Sequence, residues 1–369
     1  MKIKVRVPFL DLRVTDEPSR RELLAAVEKV LVHGRILLGP EVELFEERIA
    51  AYCGVKYAIG VGSGSAAIFL ALKALGIGSG DEVITTSLSF IGTANGISLT
   101  GAKPVFVDIR EDLTINPECI EQAISSRTKA IMPVQFTGKL CAMSKIESLA
   151  RKHGLIIVED AAPAIGATMN GRKAGSLGAA GCISLNPMKL LNACGEAGVV
   201  VTNDPVVRER VIALRYNGLV DREYGHYVSM NGRIDTLQAA ILLNRLDHLE
   251  SIISRRREIA AYYQSAIKDV VDVPHDADGC RDVYYTFTIQ SDRRDALMAF
   301  MAERGIETKI QHPLLMPDHP AHKMSDLSRF PVGNRAVKRV LCIPVHEKMT
   351  QEQVEYTASS IREFFKKTS

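Results

Sequence analysis

Short apolar runs alternate with stretches of helical periodicity through the first two-thirds of the chain. Residues 57–61, 82–86, 104–107, 130–134 and 155–158 read as strands, because brief apolar runs bounded by turn residues mark strands covered on both faces. Residues 41–52, 65–75 and 144–153 between them carry apolar positions at helical spacing, and Gly154 follows the last where a helix stop is expected. This alternation predicts an α/β fold with a mostly parallel central sheet and helices on both faces. Two further runs, 182–185 and 199–202, read as adjacent strands joined by a long turn.

From 235 to about 267 the pattern is helical almost without a break, followed by β, α, β and a final helix over 351–365. The long helix is read as the bridge between a large domain, 1–245, and a small C-terminal α+β domain, 246–369. Residues 311–329, rich in Pro, His and Asp, have no periodicity and are expected to form a loop.

Composition narrows the class. With 369 residues, 46% apolar and 24% charged, the chain can bury a large core, which excludes wholesale disorder. Lys and Arg total 46 against 43 Asp and Glu, a net charge of +3 too small and scattered to mark a nucleic-acid partner. The seven cysteines form no CxxC pair and no metal-ligand spacing with histidine, so they are expected to be reduced thiols in a cytoplasmic protein without a metal. The first ten residues lack the apolar run and cleavage site of a signal peptide, and no membrane span is expected.

Four local features carry candidate chemistry. Gly60-Val61-Gly62-Ser63-Gly64-Ser65 lies between a strand and a helix that opens Ala66-Ala67-Ile68. Small residues there let N–H groups at a helix N-terminus close around a phosphate, which the helix dipole favours. The same segment suits a dinucleotide fold or a plain tight turn, although its spacing is not GxGxxG. Glu159-Asp160-Ala161-Ala162 follows the run 155–158, at a strand end of the kind where open α/β sheets bind ligands. A carboxylate there either holds a pyridine nitrogen protonated, as a pyridoxal electron sink requires, or serves as a helix cap or surface acid.

The third feature, Ser184-Leu185-Asn186-Pro187-Met188-Lys189 with Gly195-Glu196-Ala197-Gly198, puts a lysine in a turn between two apolar strands. Desolvation can remove the proton of such a lysine and ready it for a Schiff base. Most lysines are solvated surface groups; Asp160 upstream is what sets Lys189 apart. Lys173, in the polar turn Asn170-Gly171-Arg172-Lys173, is expected to stay solvated and protonated. Phe90, just after the strand 82–86, is either a core aromatic or a stacking face for a planar ring.

With these residues in view, the chain resembles the DegT family of sugar aminotransferases, which have the aspartate-aminotransferase fold, fold type I of the pyridoxal-phosphate enzymes. The likeness runs over 39–365. Gly39-Pro40-Glu41-Val42, Phe45-Glu46, the turn at 62–66, Phe90, Asp108, the segments around Asp160 and Lys189, and Asn231-Gly232-Arg233-Ile234-Asp235 fall in the family's order. The resemblance implies pyridoxal 5'-phosphate as cofactor, Lys189 as its covalent anchor and Asp160 as partner of the pyridine nitrogen. It also implies Phe90 against the ring, Gly64, Ser65, Ala66 and Ser184 around the phosphate, and Met188, Arg233 and His312 at substrate-binding positions. Asn231 would reach the phosphate of a neighbouring subunit, giving a homodimer with shared sites; the other reading of Asn231 is an N-cap of the following helix.

Some positions depart from the family pattern. Pro163 stands where Gln or His usually donates to the cofactor, and proline donates nothing. Gln135 and Asn217 stand where histidines are common, and His312-Pro313 replaces Tyr-Pro. The implied activity is a two-step transamination from L-glutamate to a nucleotide-linked keto-sugar, for amino sugars of surface polysaccharide, lipid or antibiotic. The small residues of 195–198 favour carbon 3 over carbon 4. A cyclitol or small sugar-phosphate ketone is the alternative acceptor. A nucleotide-sugar dehydrogenase or epimerase, and a cofactor-binding regulator without turnover, are the readings from other classes.

Overall fold

The computed structural model of the chain describes residues 4–221, 223–324 and 326–367. The first three residues of the segment read for a leader, and residue 325 of the expected 311–329 loop, lie outside those residues.

A seven-stranded sheet organises the molecule, in the order Tyr57–Val61, Gly198–Thr202, Ala180–Ser184, Ile156–Asp160, Thr128–Met132, Glu82–Thr86, Lys103–Val107. All but Gly198–Thr202 run in the same direction. The two runs expected as neighbours, 182–185 and 199–202, do pair, antiparallel, as Ala180–Ser184 with Gly198–Thr202.

Successive strand residues face opposite sides of the sheet, so each strand feeds two cores. Ile131, Ile157 and Ile183 join a core covered by helices Pro40–Cys53, Met143–His153 and Thr236–Leu246. Met132, Val158 and Cys182 join another beneath Gly64–Ala74 and Pro205–Leu214. Burial on both faces explains why the strands read as continuous apolar runs rather than as alternation.

A third core gathers Tyr263, Phe287, Leu297, Leu341 and Ile361 around the antiparallel pair Phe287–Gln290 and Val340–Ile343. Val7 belongs to it and bridges Ile306, so the N-terminal segment packs with the C-terminal elements. The single helix expected from Asp235 is instead two, Thr236–Leu246 and Leu249–Ile267. The break falls at Asp247 and His248, where Arg48 ties down the Asp247 carboxylate at 2.6 Å while Leu246 and Leu249 both turn into the first core. The second of these helices bridges the cores, with Ile253 in the first and Ile259 and Tyr263 in the third.

The described residues of 311–329 are irregular apart from 3-10 turns at Met316–Asp318 and Pro320–His322. Asp108 at the end of its strand accepts N–H bonds from Val332 and Gly333 and so anchors the start of helix Pro331–Arg339. Among the described residues no helix is long and apolar enough to cross a membrane.

Candidate active site

The carboxyl ends of the parallel strands open into a cavity of about 580 Å³. Asp160 is the last residue of Ile156–Asp160 and lines this cavity while only 3% exposed. Its Oδ2 accepts the Thr93 hydroxyl proton at 2.7 Å and its Oδ1 accepts the Ala162 N–H at 3.2 Å. Burial pushes its pKa up, against the pull of the Thr93 and Ala162 bonds and the positive charge of Lys189. Strand alternation sends Glu159 to the opposite side, where it accepts from Gln135 Nε2 at 2.8 Å and from the N–H groups of Gly175 and Leu177. Gln135 is thereby committed to Glu159 and to the Cys141 N–H and does not line the cavity.

The turn after Ala180–Ser184 is fixed by Asn186, whose Oδ1 accepts the Met188 N–H at 3.0 Å and whose Nδ2 donates to Glu196 at 2.7 Å. That turn delivers Met188 and Lys189 to the cavity, with Lys189 Nζ 4.2 Å from the centre of the Tyr285 ring. Lys173 is half-buried instead of solvated as expected: its Nζ stands 3.4 Å from the Tyr52 ring centre and burial lowers its pKa. It does not line the cavity.

Ser63 caps the helix Gly64–Ala74 by accepting the Ala66 N–H at 3.1 Å, so the Ala66 amide is already engaged. The amides of a helix's first turn otherwise lack intrahelical partners. Gly64 and Ser65 line the cavity beside Ser184, and a Cβ on Gly64 would come within 2.6 Å of the Ser184 Cβ. Only glycine permits that approach of helix start to strand end.

Phe90 is 60% exposed and turned into the cavity, its ring centre 6.2 Å from His312. His312 also stands 5.5 Å from the Phe136 ring, and its pKa is lowered to about 4, by burial first and then by the charges of Lys189 and Lys309. It is therefore neutral near pH 7. Pro163 lines the same cavity. Asn231 and Arg233 do not line the cavity of their own chain. Arg233 Nε donates to Asn231 Oδ1 at 2.8 Å and its guanidinium lies over Tyr216, while the cap of the following helix is Asp235 and not Asn231.

Thr93, Tyr285, Lys309 and Gln311 also line the cavity and were not singled out in the sequence. Thr93 lies in the same short segment as Phe90. Tyr285, Lys309 and Gln311 come from the C-terminal elements and carry no local motif.

A planar pyridine bearing a phosphate fits this arrangement. The buried Asp160 carboxylate lacks a full counter-charge, which a protonated ring nitrogen supplies; Phe90 offers an aromatic face; Lys189 offers an amine; and the Gly64–Ser184 approach forms a cradle that a Cβ would fill. The model of the DegT/DnrJ/EryC1/StrS aminotransferase family matches residues 18–362. A pleiotropic regulatory protein of Geobacillus stearothermophilus is 39% identical, covering 98% of this chain and 99% of its own. The dTDP-3-amino-3,4,6-trideoxy-alpha-D-glucose transaminase of Streptomyces venezuelae is also 39% identical, over 97% of this chain and 96% of its own. The crystal structure of S. venezuelae DesV in complex with a ketimine intermediate superposes with a TM-score of 0.95 at 39% identity, covering 98% of this chain and 99% of that one. The chain belongs to the DegT/DnrJ/EryC1/StrS aminotransferase family and is a pyridoxal-phosphate-dependent transaminase with the fold of those enzymes.

Proposed function

We propose that this enzyme transfers an amino group from L-glutamate to carbon 3 of a nucleotide-linked keto-sugar, in the biosynthesis of amino sugars for surface polysaccharide, lipid or antibiotic. The observation that carries this reading is the convergence of Asp160, Lys189, Phe90 and Ser184 on one cavity, in a chain whose relatives include a 3-amino nucleotide-sugar transaminase.

When bound, pyridoxal phosphate supplies an electron sink for the carbon that gains or loses nitrogen. The chain's own residues do the rest. Asp160 would hold the ring nitrogen protonated, and Thr93 and Ala162 orient Asp160 and favour its ionised form. Lys189 anchors the cofactor and then takes and returns a proton at the reacting substrate carbon. Gly64, Ser65 and Ser184 hold the phosphate, Ala66 closes the helix turn behind it, and Phe90 covers one ring face. Met188 and His312 border the space left for substrate. Because His312 is neutral, it donates or accepts a hydrogen bond there without adding charge.

The working unit in this reading is a cytoplasmic homodimer in which Asn231 and Arg233 enter the partner's site. Their exposed or partly exposed position outside their own chain's cavity supports that assignment. So do the exposed apolar side chains nearby, Tyr227, Val228 and Met230.

The test is a two-stage spectroscopic assay on purified holoenzyme. Glutamate should convert the lysine-bound cofactor to its amino form, and a 3-keto nucleotide-sugar should restore the original absorbance. Restoration by a cyclitol or sugar-phosphate ketone, but by no nucleotide-sugar, would replace the proposed acceptor. Absence of the first conversion would overturn glutamate as the amino donor.

A further inference from the structure

Among the described residues, this chain lines the cavity with two lysines, Lys189 and Lys309, and with no arginine of its own; in the dimer proposed above, the arginine that enters is Arg233 of the partner subunit. Lys189 has the anchoring role proposed above. Lys309 is exposed, and among the described residues its ammonium makes no hydrogen bond or ion pair. The acids of the same cavity are engaged elsewhere, Asp160 by Thr93 and Ala162 and Glu196 by Asn186.

The backbone of Lys309 is nevertheless fixed. Its N–H donates to the Cys342 carbonyl at 3.0 Å and its carbonyl accepts the Cys342 N–H at 2.9 Å, which pins it to the strand Val340–Ile343. Its charge reaches His312, as does that of Lys189, and His312 in turn faces Phe90. Lys309 lines the same cavity as Phe90, His312 and Lys189, where amino transfer is expected. His312, being neutral, does not share the task of balancing an anion there.

An unpaired ammonium held in a part-enclosed cavity is a point of attraction for an oxyanion. The donor in the reading above carries two carboxylates, and one must be gripped beside the carbon that loses nitrogen. We infer that Lys309 binds a carboxylate of the amino donor in the first half-reaction. This rests on the glutamate reading of the preceding subsection.

Glutarate, which has both carboxylates and no amino group, is the probe. Calorimetric titration of holoenzyme should show glutarate binding weakened about 10- to 100-fold by Lys309→Met and kept within a few-fold by Lys309→Arg. In single-turnover assays Lys309→Met should raise the glutamate concentration needed for half-maximal rate by a similar factor. The keto-sugar half-reaction should run at the parent rate. Because the side chain is exposed, the variant should keep its fold, which circular dichroism checks. Parent-like glutarate binding in Lys309→Met overturns the inference. So does a defect confined to the keto-sugar half-reaction, which would assign Lys309 to the sugar's phosphates or its own carboxylate. If the parent enzyme itself is not converted by glutamate, the donor reading fails first and takes this inference with it.

Discussion

Thr93 donates its hydroxyl proton to Asp160, Oγ1 to Oδ2 at 2.7 Å, with both side chains buried. Thr93 also meets Ser89 Oγ at 3.1 Å, so the carboxylate is tied into a short polar chain from the helix Gly92–Leu99. Burial alone pushes Asp160 toward its neutral form, and the hydroxyl opposes that. Thr93→Val, nearly isosteric, should lower kcat about 10-fold or more, because it removes a hydrogen bond to a charged group. Thr93→Ser should restore most of the rate. Equal kcat for Thr93→Val and the parent would show that the bond does not matter to the reaction. Asp160→Asn should bind the cofactor and react far more slowly than either.

Lys189→Ala should leave no measurable transamination. Borohydride treatment should then fail to fix the cofactor to the protein, which mass spectrometry of the intact chain reads directly. The half-buried Lys173 lies outside the cavity, and Lys173→Ala should retain the covalent link.

The shared-site reading predicts complementation. Chains carrying Lys189→Ala mixed with equal amounts of an inactive Asn231→Ala variant should recover roughly a quarter of parent activity, since half the dimers are mixed and one of their two sites carries neither lesion. Sedimentation of a fully active monomer at assay concentration would rule this out.

His312 should titrate near pH 4 in the cofactor-free protein, against its ordinary 6.5, and NMR of the imidazole protons measures it. The charged or titratable groups acting on it are Lys189, Lys309 and His319. Because the folded pKa is the lower one, the unfolded chain binds more protons between about pH 4 and 6.5. The stability at stake is fully present above about 6.5 and falls as pH drops through that window, by up to about 1.4 kcal/mol per pH unit. His312→Gln should flatten this part of the urea-unfolding profile. A midpoint for His312 near 6.5 would show that the imidazole is solvated.

The sequence by itself determined the succession of strands and helices, because most strands of the central sheet are buried on both faces and the helices between them carry apolar positions at helical spacing, both of which are local patterns. It also singled out Asp160, Lys189, Phe90 and the serine-glycine turn, which all sit at the ends of those strands, where the parallel order of the sheet gathers them. Other features depend on contacts between distant segments. Strand alternation separated Glu159 from Asp160, Thr93 reached Asp160 across 67 residues, and the helix expected to run unbroken from Asp235 split where Arg48 caught Asp247. Tyr285, Lys309 and the burial of His312 come from C-terminal elements folding over the strand ends. Such approaches are set by the packing of one core against another, and a residue's own neighbours in the chain carry no trace of them.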